Sequence, residues 1–139
     1  MRRLMIPLLL LALVAVACGG DGDGDVSVGD PVTVLDVNMV EFEFDPADNV
    51  VSAGETITLN LANTGSVEHE WVVLKSGTRI EAEADFDESM VEFRAELDPG
   101  DSGTFTFTGP EPGNYQVVCV IPGHFTAGME GRLRTVNDS

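Results

Sequence analysis

Apolar and polar residues alternate along most of the chain from Val32 onward. A period of two places successive side chains on opposite faces of a strand, and short alternating runs separated by Gly, Pro, Asp and Asn indicate strands joined by turns. The expected strands are one or two in 32–44, then 56–63, 69–75, 91–97, 104–108, 115–120 and 131–136. Almost no helical periodicity interrupts them. The pattern therefore predicts an all-β fold, namely a Greek-key β-sandwich of about six to eight strands.

Three local features add detail to this prediction. The turn-forming residues at 98–101 favour a hairpin that joins the strands at 91–97 and 104–108. The acidic stretch 82–90 is less regular and weakly favours a short helix. Tyr115 opens the penultimate strand, where sandwiches often have a tyrosine whose hydroxyl bonds back to the backbone; the alternative is an ordinary core tyrosine.

The N-terminus has the pattern of an export signal. Arg2 and Arg3 precede a 13-residue apolar run, Met5 to Ala17, which ends in small residues directly before Cys18. A membrane-spanning helix needs about 20 apolar residues, so a permanent transmembrane anchor is the weaker interpretation. The pattern resembles that of bacterial lipoproteins, in which the cysteine after the cut carries lipid. We therefore predict a lipoprotein signal peptide at 1–17 and an extracytoplasmic protein anchored to a bacterial membrane through Cys18; the alternative is an ordinary signal peptide.

Composition limits what the mature chain can be. Residues 18–30 combine the lipidated cysteine with a Gly/Asp-rich flexible tether, and residues 31–139 suffice for one domain, which we expect to be a monomer. Removal of residues 1–17 leaves five basic and 24 acidic residues, a formal charge of −19. Such acidity argues against binding to nucleic acid and against direct adhesion to anionic lipid.

The candidate chemistry lies near the C-terminus. Cys119, His124 and Met129 offer a thiolate, an imidazole and a thioether within eleven residues, between two predicted strands. Each type has an ordinary role as a core, surface or gap-filling residue. Together, however, two histidines, one cysteine and a weak axial methionine are the ligands of electron-transfer copper, and the chain has one further histidine, His69. An unpaired cysteine in an exported protein also needs a reason, and copper ligation supplies one.

The spacing C-x4-H-x4-M, with Pro-Gly before the histidine and Gly before the methionine, resembles the copper loop of the blue copper, or cupredoxin, family. It is most similar to the loop of the rusticyanin and auracyanin members, and the run 63–71 resembles the strand that carries the first histidine. The resemblance implies a cupredoxin-like fold and one type 1 copper ion, with His69, Cys119 and His124 as equatorial ligands and Met129 as the axial one. Glu70 departs from the Asn or Ser that often follows the first histidine; its carboxylate either bonds the copper loop or turns outward.

The family resemblance implies an electron carrier that is not an enzyme and that shuttles one electron between redox proteins. We expect the uncharged segment 112–129 to present an apolar collar around His124, formed by Val120, Ile121, Pro122, Phe125 and Ala127. The acidic remainder favours partners that are basic at the contact. A multicopper enzyme would need more histidines than two. The alternatives are an extracytoplasmic copper chaperone or storage protein, which could use the same ligands, and a metal-free adhesion module.

Overall fold

A computed structural model describes residues 29–138 of the chain. The predicted signal peptide, the predicted lipid site at Cys18 and nearly all of the tether therefore lie outside the described residues. Within residues 29–138, no helix has both the length and the apolar character needed to cross a bilayer.

The described residues form nine strands and two short 3₁₀ helices. The strands are β1 (Val34–Val40), β2 (Glu43–Asp45), β3 (Asp48–Ser52), β4 (Thr56–Asn63), β5 (His69–Leu74), β6 (Val91–Leu97), β7 (Ser102–Thr108), β8 (Gly113–Val118) and β9 (Glu130–Val136). The 3₁₀ helices span Glu83–Asp85 and Glu88–Met90, within the stretch where the sequence weakly favoured a helix.

The strands build two facing sheets, in the orders β2-β1-β4-β7 and β3-β9-β8-β5-β6. The pairs β1/β4 and β3/β9 are parallel and the remaining pairs are antiparallel. The predicted all-β sandwich is therefore confirmed, with one strand more than the upper end of the expected count. The unexpected strand is β3, whose first residues, Asp48 and Asn49, are polar and hide the alternation. It forms through parallel pairing with β9, from Asp48 opposite Arg132 to Ser52 opposite Val136.

The predicted hairpin between the strands now labelled β6 and β7 is wrong. Strand β6 pairs with β5, whereas β7 pairs with β4 in the other sheet. The turn at 98–101 therefore carries the chain across the sandwich. Buried Asn63 fixes this crossing, because its backbone bonds Gly100 and Asp101 and its side-chain amide donates to the carbonyls of Val67 and Leu97. A turn-forming sequence reports a reversal of direction but does not report which strand is the next partner.

Alternating residues of both sheets fill the core between them. Its largest fully buried side chain is Trp71, which packs edge-on against Phe93 and tilted against Phe107, with ring centroids about 6 Å from it. A second, smaller cluster lies on the outer face of the five-stranded sheet. It consists of Val72, Leu74, Ile80 and Val118, with Phe86, Met90, Val91, Val120 and Phe125 packed against them.

This second cluster makes β5 a strand buried on both faces, since all six of its residues are buried. Segment 75–90, which contains both 3₁₀ helices, leaves the sheet after β5 and contributes Ile80 and Phe86 to the cover. A strand enclosed in this way has little freedom to shift or twist. Strand β5 is therefore a rigid support for the residue at its start, His69.

Tyr115 adopts the tyrosine corner that was one of its two predicted roles. Its ring is buried, and its hydroxyl donates to the backbone carbonyl of Glu111, four residues upstream. This bond ties the start of β8 to the preceding turn.

Candidate metal centre

Four polar or sulfur-containing side chains are buried at one end of the sandwich. His69 is the first residue of β5, Cys119 directly follows β8, Met129 directly precedes β9, and His124 lies in the loop between the last two strands. His69, Cys119 and Met129 have no exposed surface, and His124 retains 8%. The sandwich thus brings together four residues that are separated by up to 60 positions in the chain.

The loop between Cys119 and Met129 is a compact structure closed by its own hydrogen bonds. The amide of Cys119 donates to the carbonyl of Met129 across the base of the loop, and the amide of Met129 donates to the carbonyl of His124. Gly123 and Gly128 have φ values of 90° and 103°, which side-chain-bearing residues rarely adopt. The glycines therefore let eleven residues turn tightly enough to direct His124 toward Cys119.

The donor atoms converge on one point. Nδ1 of His124 lies 3.2 Å from Nδ1 of His69 and 3.3 Å from Sγ of Cys119. All three donor atoms lie within 4.8 Å of one another. Bonds of about 2.0 to 2.3 Å, the range zinc makes to nitrogen and sulfur, would place three ligands of a trigonal ion roughly 3.5 to 4 Å apart. The separations of 3.2 and 3.3 Å fall slightly short of this range, so small side-chain movements would let the three donors bind one metal ion with His₂Cys ligation.

Burial disfavours charge on these groups. Desolvation raises the pKa of the Cys119 thiol, which the backbone amides of Glu70 and Ile121 partly offset. The amide of Glu70 lies 3.5 Å from the sulfur. Desolvation also lowers the pKa of His69, and His124 lowers it further, whereas Glu41 opposes the change. A metal cation supplies the positive charge that a buried thiolate needs, and neutral imidazole is the form of histidine that binds metal.

Two carboxylates that the sequence analysis missed form hydrogen bonds with the backbone segments that flank His69 and His124. Glu83, in the first 3₁₀ helix, accepts bonds from the backbone amides of Gly123 and Thr126 on either side of His124. Glu41, in the turn between β1 and β2, accepts from the amides of Ser66 and Val67 just before His69. No sequence signal distinguishes these two residues from the many other acidic residues, because only the fold brings them to the loops.

Glu70 does not adopt the first of its two predicted arrangements, in which its carboxylate would bond the copper loop. Its carboxylate is largely buried, and an oxygen lies 3.6 Å from Nε of Arg94 on the neighbouring strand β6. Burial raises the pKa of Glu70, and Arg94 opposes this change. Of the two alternatives, the carboxylate turns away from the copper loop, and within residues 29–138 it is the Glu83 carboxylate that holds the loop amides.

The predicted apolar collar is only partly at the surface. Val120 and Phe125 pack into the outer cluster and Ile121 packs against the main core, so these three side chains are half-buried. Pro122 and Ala127 are exposed, as predicted. The sequence analysis missed Phe42, whose ring makes a T-shaped contact with His124, with ring centroids 4.9 Å apart, and remains 39% exposed.

The fold and the buried His₂Cys cluster together define a copper-binding β-sandwich of the cupredoxin class. The sequence family described as copper binding proteins of the plastocyanin/azurin family matches residues 32–136, and the chain belongs to this family. The predicted resemblance is therefore confirmed, and the cofactor is copper. His69, Cys119 and His124 form the candidate site for that ion.

Individual relatives support the same assignment. The chain is 32% identical to auracyanin A of Chloroflexus aurantiacus over 127 residues, which is 77% of this chain and 76% of that protein. It is 36% identical to the copper-resistant cuproprotein CopI of Rubrivivax gelatinosus over 97 residues, or 65% of this chain, but spans only 58% of that relative's length.

The solved structures agree with these relatives. Auracyanin from Roseiflexus castenholzii superposes with a TM-score of 0.66 at 28% identity, covering 77% of this chain and 99% of that one. Rusticyanin from Thiobacillus ferrooxidans, with a TM-score of 0.60 and 18% identity over 76% of this chain and 79% of its own, shares the fold.

Proposed function

We propose that this protein is a type 1 (blue) copper electron carrier that transfers one electron at a time between redox proteins. The observation that carries the proposal is the convergence of two imidazole nitrogens and one thiol sulfur within 4.8 Å in a buried site. In this proposal His69, Cys119 and His124 are the equatorial ligands and Met129 is the weak axial ligand. That set serves both Cu(I) and Cu(II), so electron transfer requires little change of geometry.

The arrangement of the ligands supports a carrier over an enzyme. Three of the four proposed ligands have no exposed surface, and the fourth retains 8%, so a substrate has no open coordination position within reach. Further copper centres, which multicopper enzymes use, need additional histidines, and the chain has only the two at this site. The protein then acts by holding copper in one geometry while an electron enters and leaves.

The second candidate function is copper handling, either as a chaperone or as a store. The name of the relative CopI, a copper-resistant cuproprotein, is the specific observation that favours it. The burial of the ligands favours the carrier, because handing copper to an acceptor requires the site to open. Reversible oxidation and reduction at constant copper content supports the carrier, whereas rapid transfer of copper to an acceptor would support the chaperone.

The surface above His124 is the proposed contact face for a redox partner. Phe42, Val67, Pro122 and Ala127 are exposed on the loops that surround the proposed copper ligands. We define these four residues as the apolar face. The rest of the domain is strongly acidic, and nine acidic residues against one arginine lie between Glu81 and Asp101 alone. A partner that is basic around its own contact site therefore fits best, with long-range attraction from the acidic surroundings and close contact at the apolar face.

The proposed location is outside the cytoplasm, on a bacterial membrane. A lipid on Cys18 would anchor the chain, and the Gly/Asp-rich residues up to Asp30 would let the monomeric domain reach partners on the same surface.

The first test of the proposal is the absorption spectrum after addition of Cu(II) to the domain. We expect an intense blue colour from charge transfer between the Cys119 sulfur and copper, and we expect Cys119→Ser to abolish it. As a control, Cys18→Ser in a chain without the signal peptide should stay blue. A pale, tetragonal type of copper spectrum in the wild type would contradict the proposal.

The second prediction concerns Met129. Replacement by leucine keeps the volume and the apolar character of the buried side chain, so the fold should tolerate it. We expect Met129→Leu to retain copper and to raise the reduction potential, because a weak donor to Cu(II) is lost. Voltammetry measures the reduction potential of the variant, and metal analysis measures its copper content. Loss of copper from the variant would mean that the axial role is assigned to the wrong residue.

The third prediction distinguishes the long-range electrostatic attraction of a redox partner from its close contact with the apolar face. Electron transfer to a basic cytochrome should slow steeply as salt is raised, because the Debye length shrinks to about 8 Å near physiological ionic strength. Phe42→Ser should lower the second-order rate at every ionic strength, since it removes part of the apolar face. Val34→Ser is the matched control: Val34 is 51% exposed and lies at the opposite end of β1. Equal rates for both variants would argue against the apolar face.

The fourth prediction concerns the anchor. Cys18→Ala should release the exported protein from membranes into the soluble fraction, because a lipid on that residue is the proposed attachment. Fractionation of cells that express the full-length chain measures this. A variant that stays membrane-bound would indicate that the apolar segment at 5–17 is retained and anchors the protein instead.

A further inference from the structure

Glu41 occupies an unusual position beside the proposed copper ligand His69. Its Oε1 atom accepts bonds from the amides of Ser66 and Val67, at 3.0 Å for Val67, and from the hydroxyl of Ser66 at 3.2 Å. These bonds fasten the β1–β2 turn to the segment that leads into His69. The same oxygen lies 3.6 Å from Nε2 of His69, on the side of the ring that faces away from Cys119 and His124.

No other acceptor for Nε2 of His69 is found in the part of the chain that the structure describes. Among residues 29–138 it is one of three buried side-chain nitrogen or oxygen atoms that make no hydrogen bond, and the ring has no exposed surface. The distance to Glu41 slightly exceeds hydrogen-bond range, so a movement of about half an ångström of the carboxylate would complete the bond. A buried N–H without an acceptor is costly, which makes this oxygen the natural partner.

Gly65 provides independent evidence for a close approach between the Glu41 carboxylate and the His69 ring. A Cβ atom at position 65 would lie 2.6 Å from Oε1 of Glu41 and 3.0 Å from Nε2 of His69. Any larger residue would therefore force Glu41 or His69 to shift. Because glycine has no Cβ, it leaves room for Oε1 of Glu41 and Nε2 of His69 to approach each other.

The chemistry of the ligand gives this approach a function. His69 presents Nδ1 to the metal site, and a neutral imidazole that binds a metal through Nδ1 carries its proton on Nε2. We propose, on the basis of the copper role proposed above, that Glu41 is a positioning residue that accepts the Nε2 proton of His69 in a hydrogen bond. Its bonds to Ser66 and Val67 hold the carboxylate in place, so Glu41 fixes both the tautomer and the orientation of the ligand.

This contact also affects the electronic state of copper. A carboxylate that accepts the outer proton makes an imidazole a stronger donor, and its negative charge favours the more positive Cu(II) state over Cu(I). Glu41 therefore lowers the reduction potential of the site. Glu83 accepts bonds from the backbone amides of Gly123 and Thr126 and, within residues 29–138, makes no hydrogen bond to a ligand ring.

The test compares Glu41→Gln with Asp85→Asn. Glutamine keeps an oxygen that can accept from the two amides and from His69, but removes the charge. Asp85 is a matched control, because its carboxylate also accepts two backbone amides, those of Glu81 and Ala82, without touching a proposed ligand. We expect Glu41→Gln to lower Cu(II) affinity about tenfold while Cu(I) affinity is nearly constant. For a one-electron couple this corresponds to a rise of about 59 mV in reduction potential. Asp85→Asn should shift neither quantity.

A second measurement reads the proton directly in the wild-type protein. In the diamagnetic Cu(I) protein, the Nε2 proton of His69 should give an NMR signal that exchanges slowly with water, and Glu41→Ala should make that exchange fast. Two results would overturn the role of Glu41 while leaving the proposed function intact, provided that the wild-type protein is blue and its redox reaction is reversible. One is an equal reduction potential in Glu41→Gln and Asp85→Asn, and the other is an Nε2 proton of His69 that exchanges rapidly with water in the wild-type protein. A wild-type protein that is not blue would instead contradict the proposed function.

Discussion

The structure depends on the burial of one thiol between two imidazoles. In this environment a thiolate is disfavoured by lost hydration, as the raised pKa of Cys119 indicates, and a protonated imidazole at His69 is disfavoured for the same reason. The three donors therefore form a poorly hydrated cluster that gains stability when a cation enters and the thiol loses its proton. A soft cation satisfies this set well, since sulfur and imidazole donors both suit copper. Strand β5, the loop from Cys119 to Met129 and two carboxylates support that cluster.

The support comes from two parts of the fold with different properties. Strand β5 is covered on both faces and holds His69 at its end with little freedom. The other three residues share a loop with only two glycine-dependent bends, at Gly123 and Gly128. Carboxylates from distant segments then fasten each part, Glu41 before His69 and Glu83 around His124. The negative charge near the site thus comes from side chains that the fold delivers and that the loop itself lacks.

The sequence predicts the parts of this arrangement that depend on residue type and local spacing. The ligand candidates could be recognised because histidine and cysteine are rare in the chain and three of the four candidates fall within eleven residues. Most strands could be recognised from alternation. The pairing of β6 and β7 could not, because the turn at 98–101 has the same composition whether it closes a hairpin or crosses between sheets. Glu41, Glu83 and Phe42 were missed for a related reason. Their contacts join residues 25 to 82 positions apart, and the identity of an acidic or aromatic residue in a loop does not indicate its distant partner.

The bond between the Cys119 amide and the Met129 carbonyl has a consequence for how such a site can diversify. Strands β8 and β9 are antiparallel neighbours, so the two ends of the ligand loop are held together by the sheet whatever lies between them. The entropy of closing a loop grows slowly with length, by about 0.6 kcal/mol for each doubling, so inserted or deleted residues cost the sandwich little. The distance between successive ligands can then change over evolutionary time without a change of scaffold. In this architecture the sheet keeps the fold stable, and the segment between its last two strands can change in length and in its metal-binding residues.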